Sequence, residues 1–240
     1  TAAGRIRLGR SLSKRPITLA ILMCLGSLAW QPALAQDAPC ENPDGSPKTG
    51  VGTNQGIETG PDNSTCSPSA LASGAANRAS TDGATAFGRT NRANGVNSTA
   101  FGQYNAASGE QASAFGWGNI ASGPQSAAFG FESSARHQWS SAFGVFSVAD
   151  GTSATALGYS NEANGEGSTA VGKDNIAWSE EGFAAGTRNT TSASAVAASA
   201  VGFENAANGF KSNAFGSFTV ASGIGSSVFG YQSVATGDYA

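Results

Sequence analysis

Small, apolar and glycine positions recur along this chain at a fixed distance. Eleven times between Ala86 and Gly230, the sequence places a small residue, a mostly apolar residue and then glycine. Eight of these triplets, between Ala86 and Gly186, follow an exact fourteen-residue step, as from Gly88 to Gly102, and after a slip of two residues the step resumes as far as Gly230. A short fixed period predicts a solenoid, in which each repeat buries itself against its neighbours.

Each repeat holds two short segments separated by turns that glycine marks. The copy that starts at Ser98 reads S-T-A-F-G-Q-Y-N-A-A-S-G, followed by two variable residues. A segment of about five residues has the length of a short strand and is too short for a helix. The sequence therefore predicts an all-β solenoid of two-strand coils, which begins near Ala70 and continues to Ala240.

The first strand of each coil carries two restricted sets of side chains. Small residues occupy one phase and mostly large apolar residues occupy the other, and these phases point to opposite faces of the strand. We expect both faces to be buried, one inside the narrow coil and one against another copy of the chain. The apolar set, predicted as the structural core of the repeat, is Phe87, Phe101, Phe115, Phe129, Phe143, Leu157, Val171, Val201, Phe215 and Phe229.

The second strand has one constant phase and one variable phase. Asn or Ser and Ala recur at the constant positions, whereas the residue between them changes from Arg92 to Ile120 to Glu162, which predicts a face exposed to water. Stacked amides hydrogen-bond to each other and to turn backbones in repetitive β structures. We expect that structural role for Asn91, Asn105, Asn119, Asn161, Asn175 and Asn205.

Three places depart from the regular step. Residues 187–202 contain the two extra residues and leave open whether Thr191 or Ala193 continues the alanine phase, so a bulge or a lengthened turn is expected there. His137 and Ser179 each replace a turn glycine.

The first 35 residues have the pattern of a secretory signal peptide. A basic stretch precedes an apolar run from Ile17 to Trp30, and Ala33-Leu34-Ala35 then matches a cleavage site before Gln36. The alternative is a short membrane anchor, but the run is too short for it, since a membrane span needs about 20 apolar residues. Export is therefore expected.

Residues 36–69 predict a flexible extension, because they hold five of the eight prolines and almost no large apolar residues. In an exported protein, a disulfide between Cys40 and Cys66 is the favoured interpretation. A metal site is the weaker alternative, since this segment offers few other ligands.

Charge and chemistry narrow the function further. After residue 35 the chain has 8 Lys and Arg against 16 Asp and Glu, so its net charge is −8. No basic patch favours nucleic acid. The one histidine, His137, lies far from the cysteines, the Glu180-Glu181 pair suits a solvated surface, and the glycines lack the lysine of a phosphate loop. We expect no catalysis, no cofactor and no metal.

Two segments carry a resemblance to a known family. Asn97–Gly102 (N-S-T-A-F-G) and Gly167–Gly172 (G-S-T-A-V-G), each followed by x-x-[NS]-x-A-x-G, resemble the head repeat of YadA-like trimeric autotransporter adhesins. The resemblance covers about residues 70–240 and implies a left-handed parallel β-roll, three chains packed around one axis, and display on the outer membrane of a Gram-negative bacterium. The family's neck, stalk and C-terminal barrel anchor would lie beyond Ala240. Phenylalanine replaces the family's usual aliphatic residue in most copies.

The resemblance implies cell adhesion and a role in virulence, with a host matrix protein such as collagen or a cell-surface receptor as the partner. The alternative is a structural surface fibre that associates with itself, for autoaggregation and biofilm. Recognition would fall to exposed aromatic residues at variable positions; these side chains could instead cover the turn edge or assist contacts between chains. The candidate contact residues are Trp117, Phe131, Tyr159, Tyr104 and Phe203.

Overall fold

Long and short strands alternate through the part of the chain that the computed structural model describes, which is Cys40 and residues 55–240. Each long strand pairs in parallel with the long strands before and after it, and the short strands do the same, so two sheets of 13 strands form. One long strand and the short strand after it make one coil, and we number the coils 1 to 13. The described residues contain no helix, and the prediction of a β-solenoid is confirmed.

The two strands of a coil differ in length. Long strands have five residues in coils 2 to 13, as predicted, but the short strands have only two, so the prediction of two similar segments is wrong. The long strands are β1 (Ile57–Thr59), β3 (Leu71–Ala75), β5 (Thr85–Arg89), β7 (Thr99–Gln103), β9 (Ser113–Trp117), β11 (Ala127–Phe131), β13 (Ser141–Val145), β15 (Thr155–Tyr159), β17 (Thr169–Lys173), β19 (Phe183–Thr187), β21 (Ser199–Phe203), β23 (Asn213–Ser217) and β25 (Ser227–Tyr231). The short strands are β2 (Ser64–Thr65), β4 (Arg78–Ala79), β6 (Arg92–Ala93), β8 (Ala106–Ala107), β10 (Ile120–Ala121), β12 (Ser134–Ala135), β14 (Val148–Ala149), β16 (Glu162–Ala163), β18 (Ile176–Ala177), β20 (Thr190–Thr191), β22 (Ala206–Ala207), β24 (Val220–Ala221) and β26 (Val234–Ala235).

The interior of the solenoid contains small side chains. Alanine fills the second position of nearly every long strand and of most short strands, and all of these alanines except Ala235 are fully buried. Among the described residues the largest fully buried side chains are asparagine and threonine, so the interior accommodates mainly small side chains. Alternation along the strand then sends the large apolar residues outward.

The predicted repeat core therefore needs a correction. The set Phe87, Phe101, Phe115, Phe129, Phe143, Leu157, Val171, Val201, Phe215 and Phe229 lies at the third position of the long strands, on the outside of the coil and half-buried or exposed. The alanines form the core of the single chain. On the short strands, the sequence predicts a variable face exposed to water, but the variable position is half-buried in most coils. It is exposed at Arg92, Ile120 and Val234 and buried at Ser64, Arg78 and Ser134.

The fourth position of the long strand is glycine in coils 2 to 13, for two physical reasons. Gly102 has a φ of 116°, which side chains rarely adopt, and a Cβ on it would overlap the carbonyl oxygen of Gly116 in the next coil. The same close approach recurs along the sheet. The glycine of the sequence triplet is thus required both by its own conformation and by the coil above it.

Buried asparagines connect the coils, as predicted. The Asn105 side-chain amide donates to Oδ1 of Asn91 (3.0 Å), to the carbonyl of Phe101 (2.9 Å) and to the carbonyl of Gly116 in the next coil (2.7 Å). Its own Oδ1 accepts from the backbone and side chain of Asn119. Ser133 and Ser147 interrupt this ladder. The ladder has three further members that were not predicted, Asn63, Asn77 and Asn189.

The solenoid begins earlier than the sequence predicts. Coil 1 spans Ile57 to Thr65, inside the segment expected to be a flexible extension, and it lacks the small-apolar-glycine triplet. Glu58 occupies the position that alanine fills in later coils, and its carboxylate accepts from the backbone (2.5 Å) and hydroxyl (2.7 Å) of Thr65. Cys40 and Cys66 form a disulfide and are both buried. The expected signal peptide, residues 1–35, lies outside the described residues.

Coil 10 contains the lengthened turn that the sequence predicts. Thr191 pairs with Ala177 and Ala207, so it continues the alanine phase, and Ala193 with Ser194 form the exposed insertion in the turn. The Thr191 hydroxyl lies inside the coil, where it accepts a hydrogen bond from the Ser179 hydroxyl at 2.9 Å. The buried hydroxyls of the two irregular residues, Ser179 and Thr191, therefore provide each other with a hydrogen-bond partner.

Candidate binding surface

Three rows of outward-facing side chains run along the sheet of long strands. They come from the first, third and fifth positions of each strand, and we call them rows 1, 3 and 5. Rows 1 and 3 of coils 2 to 13 carry no charged residue, and together they form what we call the phenylalanine face. Charged residues do occur in row 5, at Arg89 and Lys173, and in the turn that follows it.

Row 3 of the phenylalanine face is a stack of aromatic rings. Neighbouring ring centroids from Phe87 to Phe143 lie 4.8 to 5.8 Å apart, with interplanar angles of at most 22°. The spacing follows from the parallel register, which puts each phenylalanine beside its equivalent in the next coil. In the single chain these rings remain partly exposed, and a large uncharged apolar surface of this kind marks an interaction site.

A second aromatic row lies at the edge of the same sheet. Tyr104, Trp117, Phe131, Phe146 and Tyr159, which we call the aromatic strip, extend across coils 4 to 8. Their ring centroids are 5.9, 4.6, 5.4 and 6.1 Å apart in that order, and all five side chains are exposed. The strip combines row 5 residues with turn residues, since Tyr104 and Phe146 follow the long strand directly.

The structure brings together four of the five predicted contact residues and separates the fifth. Phe203 lies half-buried in coil 11, under the guanidinium of Arg188 (5.2 Å) and beside Phe218 (5.2 Å). The aromatic strip ends earlier, where the Lys173 ammonium stands 5.8 Å from the ring centre of Tyr159. The predicted set also omits Phe146. Its position in the sequence could have identified it, because Phe146 follows row 5 by one residue, as Tyr104 does.

The turn residues of the strip have an unusual backbone. Tyr104 has a φ of 58° and Phe146 a φ of 54°, in the left-handed region that bulky residues seldom occupy. The conformation is a general property of this turn, because the equivalent residue has a positive φ in each of coils 2 to 13. The N–H of this residue donates to a carbonyl of the preceding coil, as Tyr104 does to Arg89 at 3.0 Å. The solenoid therefore holds these rings at fixed positions, and their order along the axis is set by the coil spacing.

The described residues contain no cluster suited to holding a metal ion. None of their histidines, cysteines and acidic residues form a group of three that could hold a metal ion. His137 lies on an exposed turn, with its Nδ1 3.4 Å from a carboxylate oxygen of Asp150. No helix in the described part of the chain is long and apolar enough to cross a membrane.

The chain matches a family of known repeats. The family model described as the YadA head domain repeat (2 copies) matches residues 79–105, 93–119, 107–133, 140–161, 149–175, 163–189 and 221–240, which together cover more than half of the chain. The matches stop before coil 10 is complete and resume in coil 12. No curated protein matches the chain significantly.

Proposed function

Because the chain belongs to the family of YadA head domain repeats, we propose that it is an adhesin head that binds host extracellular matrix or host cells through the aromatic strip. The observation that carries this proposal is the contact of five exposed aromatic side chains across five consecutive coils. Large rigid rings bury much area at little cost in side-chain entropy, which makes them effective contact residues.

The form of the strip supports an elongated partner. Five coils about 4.8 Å apart give a row of rings about 20 Å long. Such a row offers a repeated set of weak contacts to an extended chain, and a compact ligand would meet only part of it. A fibrous matrix protein such as collagen fits this geometry, and the resemblance to the adhesin family points to the same class of partner.

The proposal includes a homotrimer on the outer membrane surface of a Gram-negative bacterium. The uncharged phenylalanine face supports self-assembly, since its rings are half-buried or exposed in a single chain. Burial of these rings against another copy would be favourable, because it removes apolar surface from water. Three copies would present three aromatic strips, so that individually weak contacts add up by multivalency. No catalytic step is needed for this function.

The test is binding of the purified chain to immobilised collagen, fibronectin and laminin, measured by surface plasmon resonance. We expect saturable binding to at least one of them, and loss of that binding in the triple variant W117A/F131A/Y159A. The matched control is W139A/W178A/F210A, which removes three exposed aromatic side chains outside the strip. Equal binding by the triple variant and the wild-type chain, with the fold intact by circular dichroism, would refute the strip as the contact surface. Clumping of bacteria that display the chain, without binding to any matrix protein, would favour the self-associating fibre.

A further inference from the structure

The phenylalanine face is large and periodic enough to identify its partner as a second copy of this chain. Twelve strands about 4.8 Å apart, each about 10 Å long from the first to the third position, present about 570 Å². This approaches the roughly 800 Å² that each partner contributes to a standard interface. The face has no charge to pair with a polar ligand, and its rings repeat at the coil spacing along the solenoid. A second copy of the chain offers a surface of the same period, length and polarity.

The volume of the side chains on this face is not uniform along the solenoid. Row 3 has phenylalanine in coils 3 to 7, narrows through Leu157 and Val171 to Ala185 in coil 10, and widens again through Val201 to phenylalanine in coils 12 and 13. Coil 10 thus has the smallest row 3 side chain from coil 3 onward.

Row 1 changes in the opposite sense at the same coil. From coil 3 onward it carries small or polar residues, with the single exception of Phe183 in coil 10. Phe183 is exposed, and its strand neighbours are Thr169 and Ser199, which are both small. The aromatic ring has therefore moved from the third position of the strand to the first, at the one coil where the third position is alanine.

We propose that this exchange of Phe183 for Ala185 fixes the axial register between copies of the chain. In a parallel assembly with coil 10 beside coil 10, Phe183 of each copy occupies the space that Ala185 of the neighbouring copy leaves open. A shift by one coil places Phe183 against a layer that already holds valine, and leaves the space at Ala185 empty. Apolar interfaces disfavour both overpacking and cavities, so the in-register assembly is preferred. The inference rests on the self-assembly proposed above and adds to it the residues that select the partner and its alignment.

The test compares the wild-type chain with the exchange variant F183S/A185F, which gives coil 10 the same pattern as coils 3 to 7. Two preparations with different mass tags are unfolded together, refolded and analysed by native mass spectrometry. Wild-type chains with two tags should mix statistically. Wild-type and exchange-variant chains should form mixed assemblies about tenfold less often, because their layers at coil 10 do not match.

Single variants give the second measurement. A185F adds a ring to a layer that already contains Phe183, and we expect it to raise the dissociation constant of the assembly by about tenfold or more. V148F is the matched control, since it adds the same ring to the short-strand side, and it should leave assembly unchanged. Circular dichroism checks that each variant folds.

The outcomes distinguish the register proposal from the proposal of self-assembly. Statistical mixing of wild-type and exchange-variant chains, or unchanged assembly of A185F, would overturn the register proposal and leave the homotrimer in place. A wild-type chain that remains monomeric at every concentration would overturn the self-assembly itself, and the register proposal with it. Loss of matrix binding by the strip variant would be independent of both results.

Discussion

Coils 4 to 7 and coil 10 have the same backbone topology, but they achieve it with different residues. In the regular coils, alanine fills the interior, glycine or histidine occupies the second turn, and phenylalanine faces outward at row 3. In coil 10 a buried threonine, a longer turn and an alanine at row 3 replace these features. The register of the long strands nevertheless continues through coil 10, from Ala170 to Ala184 to Ala200. The fold therefore depends on a few positions, and the others can change if their neighbours change with them.

The glycine of the long strand is the most demanding of the shared positions. We expect G116A, in a regular coil, and G186A, in coil 10, to lower the free energy of unfolding by about 3 kcal/mol or more each, because a Cβ would overlap the next coil and the backbone would be strained. Urea denaturation followed by circular dichroism measures the effect. G118A is the control: its φ of 67° is close to the turn conformation that Tyr104 already adopts, and about 1 kcal/mol is expected. A small effect at 186 alone would show that coil 10 has a different backbone requirement.

The asparagine ladder is the next shared feature. N105A and N189A each leave several buried hydrogen-bonding groups unsatisfied, so we expect a loss of about 2–3 kcal/mol in both coils. N105S should cost less, since serine occupies this position in coils 6 and 7, where Ser133 donates to the carbonyl of Gly144 at 3.1 Å. The exposed Asn208 supplies the control N208A. N105A as stable as the wild-type chain would contradict a role for the amide, and N105A and N105S of equal stability would show that the serine hydroxyl does not replace it.

In coil 10, the effect of a substitution on stability should depend on Ser179 and Thr191, whose hydroxyls hydrogen-bond to each other. Its long strand is preceded by Gly182, where the other five-residue strands are preceded by alanine or serine, because a Cβ there would overlap the hydroxyl of Ser179. We expect G182A to cost about 1–2 kcal/mol in the natural chain. In the background S179G/T191A, which restores the regular residues, the same change should be close to neutral. A thermodynamic cycle of the two backgrounds measures this coupling, and additive effects would refute it.

The longer turn should have the smallest effect. Removal of Ala193 and Ser194, together with Ala195→Gly, restores the regular step at a turn whose two extra residues are exposed. Loop length affects stability only weakly, so we expect a change below about 0.6 kcal/mol. A large loss in urea denaturation would mean that the insertion has a structural role of its own.

The regular coils could be predicted from the sequence, whereas the exceptions could not. A constant step fixes the parallel register, the glycine turns and the asparagine ladder, since each needs only local geometry repeated. The step alone does not show which strand face lies inside the coil, because the alanine and the apolar positions both follow it; the structure puts the small side chains inside. Coil 1 was missed because Glu58 and Thr65 replace the motif residues. The pairing of Ser179 with Thr191 depends on contact between coils, which no single repeat displays.

We propose that copies of the chain cover the phenylalanine face and leave the aromatic strip free. In a single chain Phe101 and Phe131 are almost equally exposed, at 45% and 38%. Hydroxyl-radical footprinting of the assembled chain, read by mass spectrometry for these two phenylalanines, compares the two surfaces directly. We expect Phe131 to be oxidised at a rate typical of an exposed ring and Phe101 to be protected. Equal oxidation of Phe101 and Phe131 would contradict this proposal.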